Sequence, residues 1–428
     1  MNIVRNYPFG QRYAFVVVGV IFLCLLFAAG LRSAPSVLML PLEDAFGWRR
    51  DVISLAAAVG IFLYGLAGPF AAALMERFGL RRTLLCSLAL MSASTALSLL
   101  MTQPWQLIAT WGIMSGIGSG AVATVLGATI VTRWFKTNRG LMMGIMSASS
   151  ATGLLIFLPL LASLAQSGGW QPVVIAVSVA TACMLPLVYF LVPERPSSIG
   201  LSRYGAEGEE AMVAAPALGN FLTATLSTLR RAAGTRVFWY LFATFFICGF
   251  TTNGLVGTHL IAFCGDMGIQ EVQAASLLAV MGVFDLIGTT LSGWLTDRYD
   301  PRKLLGVYYG VRGLALIYLP FSGFSATSLV IFAVFYGLDW IATVPPTLRL
   351  ANESFGDKSG PLVFGWIVAG HQVGAASAAF FGGYLRELQG DYVTAFFIAG
   401  MTAIAAAALS LLIDPARAEP NFPKVQPA

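Results

Sequence analysis

Long apolar runs alternate with short polar intervals along the whole chain. A helix needs about 20 apolar residues to cross a bilayer. Twelve segments meet that requirement: 14–40, 51–75, 82–101, 104–132, 138–165, 172–192, 236–264, 271–296, 303–322, 327–350, 360–385 and 391–413. They are numbered one to twelve below. The longest polar interval, 193–235, contains "PERPSSIGLSRYGAEGEE", with the turn-forming residues of a linker. The pattern predicts an all-α membrane protein: a six-helix bundle over 1–192, a linker over 193–235, and a second six-helix bundle with a short tail over 236–428. The first run is too long for a signal-peptide core and lacks a small-residue cleavage site, so it is expected to be retained as a helix.

Composition supports this pattern. The chain of 428 residues is 57% hydrophobic and 11% charged, with a mean hydropathy of +0.78. A soluble domain carries about 25% charged residues. The net charge of +5 is spread in a way that sets topology. With both termini in the cytoplasm, the polar intervals on that side hold twenty of the 25 Lys and Arg residues. The other side holds Arg49, Arg50 and Arg386, and Arg32 and Arg312 lie inside segments. The charge therefore marks membrane orientation, and no nucleic-acid partner is expected. The five cysteines lack metal-ligand or C-x-x-C spacing, and there are only two histidines. No metal or cofactor is expected. No nucleotide-binding loop, nucleophile elbow or soluble catalytic pair is present, so an enzyme is not expected.

Two stretches recur. Segment two ends in "LMERFGLRR" (74–82) and segment eight in "LTDRYDPRK" (295–303), at an offset of 221 residues. Segment four carries "GSGAVATV" (118–125) and segment ten "GLDWIATV" (337–344), at an offset of 219. Parallel repeats of this kind, with a site at their interface, build one large class of secondary transporter.

The two charged stretches resemble the signature between helices two and three of the major facilitator superfamily, G-x-x-x-D-R-x-G-x-R-R. Ala72 stands for the first Gly and Glu76 for the Asp; in the second copy Asp300 stands where Gly is usual. The resemblance implies a conformational latch of Glu76, Arg77, Arg81 and Arg82, with Asp297, Arg298, Arg302 and Lys303, closing the cytoplasmic side in the outward-open state. Alternatively, these residues are only positive-inside anchors. "PLEDAFGW" (41–48) and "RWFKTNRGLMMGIMSASSATG" (133–153) are similar to the monocarboxylate porter and oxalate:formate antiporter group.

Gly112, Gly116 and Gly120 in segment four, and Gly140 and Gly144 in segment five, make small-residue stripes that let helices approach closely. Pro345-Pro346 should bend or break segment ten.

Six ionisable residues fall inside segments: Arg32, His259, Asp285, Arg312, Asp339 and His371. Such residues are costly in lipid and are functional candidates by default. Arg32 cannot shed its proton, and its planar fork suits a carboxylate; snorkelling outward is the alternative. The resembled porters carry a substrate-binding Lys near this place in helix one. They also carry an Asp in helix eight with an Arg one turn later. Asp285 matches the Asp, but Thr289 stands at the Arg. Asp285 is expected to carry a proton or to pair with Arg312. Asp339, isolated at mid-depth, and His371, where the antiporters carry a Lys, are further proton candidates. His259, Asn253 (following Thr251 and Thr252), His371 and Gln372 could supply neutral substrate contacts, as could Trp366.

These residues predict a monomeric secondary transporter of a small organic anion, a monocarboxylate by the resemblance, coupled to protons. Efflux of a drug or secreted metabolite, or ligand sensing without transport, are the alternatives. Few cysteines and short outer loops suit a bacterial inner membrane.

Overall fold

The structure is a computed structural model and describes residues 10–206 and 218–415. It is helical, as expected, with one isolated bridge between Phe135 and Tyr204. Eleven helices among the described residues are long and apolar enough to cross a membrane. Segment three folds as the helix Leu80–Ser98 but is not among those eleven. Its hydroxyls turn back onto their own helix: Ser94 Oγ donates to Met91 O at 2.8 Å and Ser98 Oγ to Thr95 O at 2.7 Å. A helix can carry such groups in an apolar setting because they are satisfied internally.

Segment four packs on segment two through its glycines. A Cβ at Gly112 would lie 3.1 Å from Ala56 O, and one at Gly116 would lie 2.8 Å from Gly60 O. Gly120 sits against Ala67. The stripe in segment five differs from expectation: nothing lies within 4 Å of a Cβ at Gly140 or Gly144.

Three boundaries also depart from the sequence reading. The interval 193–235 contains a helix, Leu218–Ala233. The stretch before that helix is tied down by Gln11, whose Nε2 donates to Ser202 Oγ at 2.7 Å. Segments ten and eleven have no loop between them; they meet at a kink at Gly356 (φ 75°, ψ 159°), a conformation a residue with a Cβ rarely adopts. Segment four breaks after Ala121: Val122 and Ala123 leave the helical region before Thr124–Trp134 resumes. Segment ten breaks too, as its prolines predict. Ala326–Asp339 ends, four residues turn, and a new helix starts at Val344 with Pro in its first turn. By the 219-residue offset, 122–123 corresponds to 341–342. Both halves break the same helix at the same place.

Candidate functional site

Each break frees backbone groups that need partners. At the first, Arg32 Nη1 donates to Val122 O at 3.4 Å, and the guanidinium lies 5.1 Å from the Tyr64 ring centroid. Arg32 and Tyr64 are both half-buried, and no ion pair of Arg32 occurs among the described residues. Most of its N–H edge is therefore uncommitted. The next residue after Tyr64, Gly65, touches Gln372: a methyl group at Gly65 would overlap the Gln372 side chain. Arg32 thus rests on Tyr64, and the residue beside Tyr64 meets Gln372 of the second half, although Tyr64 drew no notice in the sequence.

The second break is clasped more fully. Arg312 Nη2 donates to Asp339 O at 2.6 Å and to Trp340 O at 3.2 Å. Its Nε donates to Asp339 Oδ2 at 2.5 Å. Asp285 Oδ1 accepts from Ile341 N at 2.9 Å and from Thr289 Oγ1 at 3.0 Å. Ser292 Oγ donates to Ala342 O at 2.5 Å. Two expectations are corrected here. Arg312 pairs with Asp339, not with Asp285, because Asp339 is the last residue before the break and its carbonyl and carboxylate face segment nine together. For the same reason Asp339 is not isolated, although its Oδ1 is buried without a partner. Arg312 itself is fully buried.

The remaining candidates divide. Arg312 Nη1 donates to Cys248 Sγ at 3.0 Å, and His371 adjoins the same thiol. His371 Nδ1 is buried without a partner, and the ring lies 5.0 Å from Phe245. Asn253 is exposed on a π-helical turn, Phe250–Val256, a distortion common at functional sites. His259 is fully buried: Nε2 meets Ala379 O at 2.7 Å and Nδ1 meets Tyr392 Oη at 3.2 Å. Both ring nitrogens are engaged, so His259 offers a substrate nothing in this conformation.

The two ends of the molecule differ. At the end carrying Arg49 and Arg386, the halves are clamped together. Arg50 binds Asp266 through two 2.8 Å bonds and Glu43 at 2.7 Å. Arg386 joins Asp266 at 2.8 Å, and Glu387 accepts from the Arg50 backbone at 2.8 Å. Sequence reading counted these bases only as loop charges; an acid at each helix end beside them was the available signal.

At the basic end, no ion pair of the expected latch residues crosses between halves among the described residues. Arg81 stacks on Tyr189 at 4.5 Å, Arg77 on Phe78 at 5.3 Å and Arg298 on Trp294 at 4.0 Å. Arg302 binds Asp300 at 2.8 Å. The Glu76 side chain lies outside what the structure describes. Glu194, unremarked in the sequence, caps segment three: it accepts from Leu80 N at 2.5 Å and Arg81 N at 3.1 Å, and pairs with Arg133 at 3.3 Å. A cavity of about 490 Å³ opens at this end, lined by Thr296, Asp297, Pro345, Leu348, Arg349 and Asn352, among others.

The family model of the Major Facilitator Superfamily matches residues 21–360 and 265–427. The chain belongs to this superfamily. It is 25% identical to an uncharacterized MFS-type transporter, YcxA, of Bacillus subtilis, over 86% of this chain and 88% of that one. It is 26% identical to monocarboxylate transporter 13 of Rattus norvegicus, over 87% and 82% of the two chains. Among solved structures, a bacterial homologue of the human lysosomal transporter Spinster, inward-facing and unoccupied, superposes with a TM-score of 0.78 at 15% identity, covering 98% of this chain and all of the other. This superfamily member is a multi-pass membrane protein of transporter architecture.

Proposed function

We propose that this superfamily member moves a small monocarboxylate by alternating access, together with a proton. The observation that carries the reading is Arg32. An obligate cation stands half-buried on Tyr64 beside the first break, with no ion pair among the described residues. A carboxylate is the ligand whose geometry matches its free edge, and a transporter of monocarboxylates is among its relatives. In this reading Gln372, His371 and Asn253 offer neutral contacts to the substrate, and Asp285, which Arg312 passes over for Asp339, takes the proton. Twelve spans with both termini cytoplasmic, in a bacterial inner membrane, and a monomeric unit complete the reading.

Alternating access needs one end shut while the other is open. The Arg50–Asp266 clamp supports a state closed at its own end. In that state the basic latch is disengaged, as its within-half contacts suggest. The test is uptake of labelled lactate, pyruvate and larger monocarboxylates into proteoliposomes, with and without an inward proton gradient. Accumulation driven by the gradient, lost in Arg32→Gln, is the expected result. Normal uptake by Arg32→Gln would remove the anion site.

A further inference from the structure

The helix after the second break is a separate short rod. It starts at Val344 and ends where Gly356 leaves the helical region. One end of this rod, 344–355, is held by the turn 340–343. Its flank lines the cavity at the basic end through Pro345, Leu348, Arg349 and Asn352, opposite Gly293, Thr296 and Asp297 of segment eight.

The turn itself is held only in part by backbone bonds. Trp340 N reaches Gly337 O at 3.1 Å and Val344 N reaches Ile341 O at 2.9 Å. Of its other polar groups, Thr343 O accepts from Thr347 and Thr343 Oγ1 meets Cys248 Sγ at 3.3 Å, while side chains of segments eight and nine take three: Ile341 N by Asp285, Ala342 O by Ser292, and Trp340 O by Arg312. Of these three, only the Asp285 bond depends on protonation. A hydrogen bond to a charged acceptor is roughly twice as strong as one to a neutral acceptor. Only Oδ1 of Asp285 is engaged among the described residues, leaving Oδ2 to take a proton.

We propose that Asp285, with Ser292 and Arg312 as positioning residues, sets the stance of the half-helix 344–355 according to whether Asp285 carries a proton. A neutral Asp285 holds Ile341 weakly, the turn loosens, and the rod swings to widen the cavity at the basic end. The proposal rests on Asp285 as a proton site. The groups facing Asp285 are Arg312 from segment nine, Asp339 from segment ten and Cys248 from segment seven. His371 from segment eleven lies behind Cys248, and Tyr308 from segment nine lies beside Ser292. Arg312 is committed to Asp339 and to carbonyls, so it stays in place when Asp285 is neutralised.

The experiment labels Leu348→Cys with N-ethylmaleimide in the full chain, in liposomes, from pH 5 to 8. Exposed Cys86 and Cys183 are replaced by Ser, and the buried cysteines are kept. A second protein with Leu226→Cys, on the exposed linker helix, corrects for the reagent's own pH response. The corrected rate should rise several-fold toward acid pH. With Asp285→Asn it should stay at the acid value throughout. Ser292→Ala, which leaves the carboxylate intact, should raise the alkaline rate toward the acid value while keeping some pH response. A flat profile in the parent protein, an unaltered profile in Asp285→Asn, or no effect of Ser292→Ala would each overturn the proposal. Gradient-driven uptake by the same variants separates the two ideas. If Asp285→Asn loses such uptake while labelling of the parent is flat, the clasp is wrong and the proton site stands. If Asp285→Asn keeps it, the proton site itself is wrong.

Discussion

Two arginines sit at repeat-related breaks and have different surroundings. Arg312 spends its donors on Asp339, two carbonyls and Cys248, and is fully buried. Arg32 reaches one carbonyl at 3.4 Å, rests on Tyr64 and makes no ion pair among the described residues. Both answer the same need, a carbonyl freed inside an apolar helix bundle. Only one is neutralised. Under the proposed function this contrast separates structural from functional charge: the paired buried cation completes the fold, and the one without an ion pair among the described residues is left for an anion.

The largest expected effect breaks this contrast at its structural end. Arg312→Gln leaves the Asp339 carboxylate buried and uncompensated, which costs about 3–5 kcal/mol. Chemical unfolding in detergent should show it, and Arg312→Met with Asp339→Leu should recover more than half. Arg32→Gln should stay within about 1 kcal/mol of the parent in the same assay, yet weaken substrate affinity at least about tenfold, or about 1.4 kcal/mol. Equal stability losses at the two positions would end the distinction.

The next effect concerns the clamped end. Arg50→Gln removes two charge-assisted bonds to Asp266 and one to Glu43. Bonds to charged groups contribute about 1.5–3 kcal/mol each at most. Ser54, fully buried against Gly383, is the reporter. Thiol labelling of Ser54→Cys should accelerate several-fold when Arg50→Gln is added. An unchanged rate would show that the clamp does not hold this end shut.

A smaller effect contrasts the two glycine stripes. Gly116→Ala forces a methyl group against the Gly60 backbone and should destabilise by about 1–3 kcal/mol. Gly144→Ala meets nothing within 4 Å and should gain a few tenths to about 1 kcal/mol from helix propensity. The two stripes look alike in sequence. What distinguishes them is which helix face meets a neighbour, and spacing alone does not carry that.

The same limit runs through the site. Apolar length and the prolines made the helices and the second break legible, because both follow from local chemistry. The first break was not legible: "GSGAVATV" contains no proline, and its freed carbonyl is answered by Arg32, some 90 residues earlier in the chain. All six intramembrane ionisable residues could be named from the sequence. The choice of Asp339 over Asp285 as the partner of Arg312 could not, since it depends on the turn that presents the Asp339 carboxylate and carbonyl on one side. Tyr64 and Glu194 escaped because a half-buried aromatic and a linker acid carry no local mark of what they touch.

Glu194 leads to the smallest prediction, which compares the starts of the third and ninth segments. Both follow the repeated charged motif, and each needs a cap. Segment three takes Glu194 from a distant loop, with Gly79 at φ 93° leaving room for the carboxylate. Segment nine takes Asp300, which stands where the resembled signature has Gly; its side chain accepts from Arg302 N at 2.9 Å, with Pro301 at the first helical position. The Arg302 side chain beside it holds the Asp300 carboxyl below the usual carboxylate range. A depressed value means the cap contributes fully above the ordinary carboxylate range and is lost as pH falls through its folded value. Asp300→Ala should therefore cost about 1 kcal/mol at neutral pH and less in acid, read as the midpoint of chemical unfolding at each pH. Glu194→Gln keeps an acceptor oxygen for Leu80 N but loses the charge facing Arg133, so its cost should fall with added salt. A cost at Asp300 that did not shrink in acid would assign that residue to packing, and the two helix starts would then share a motif without sharing its physics.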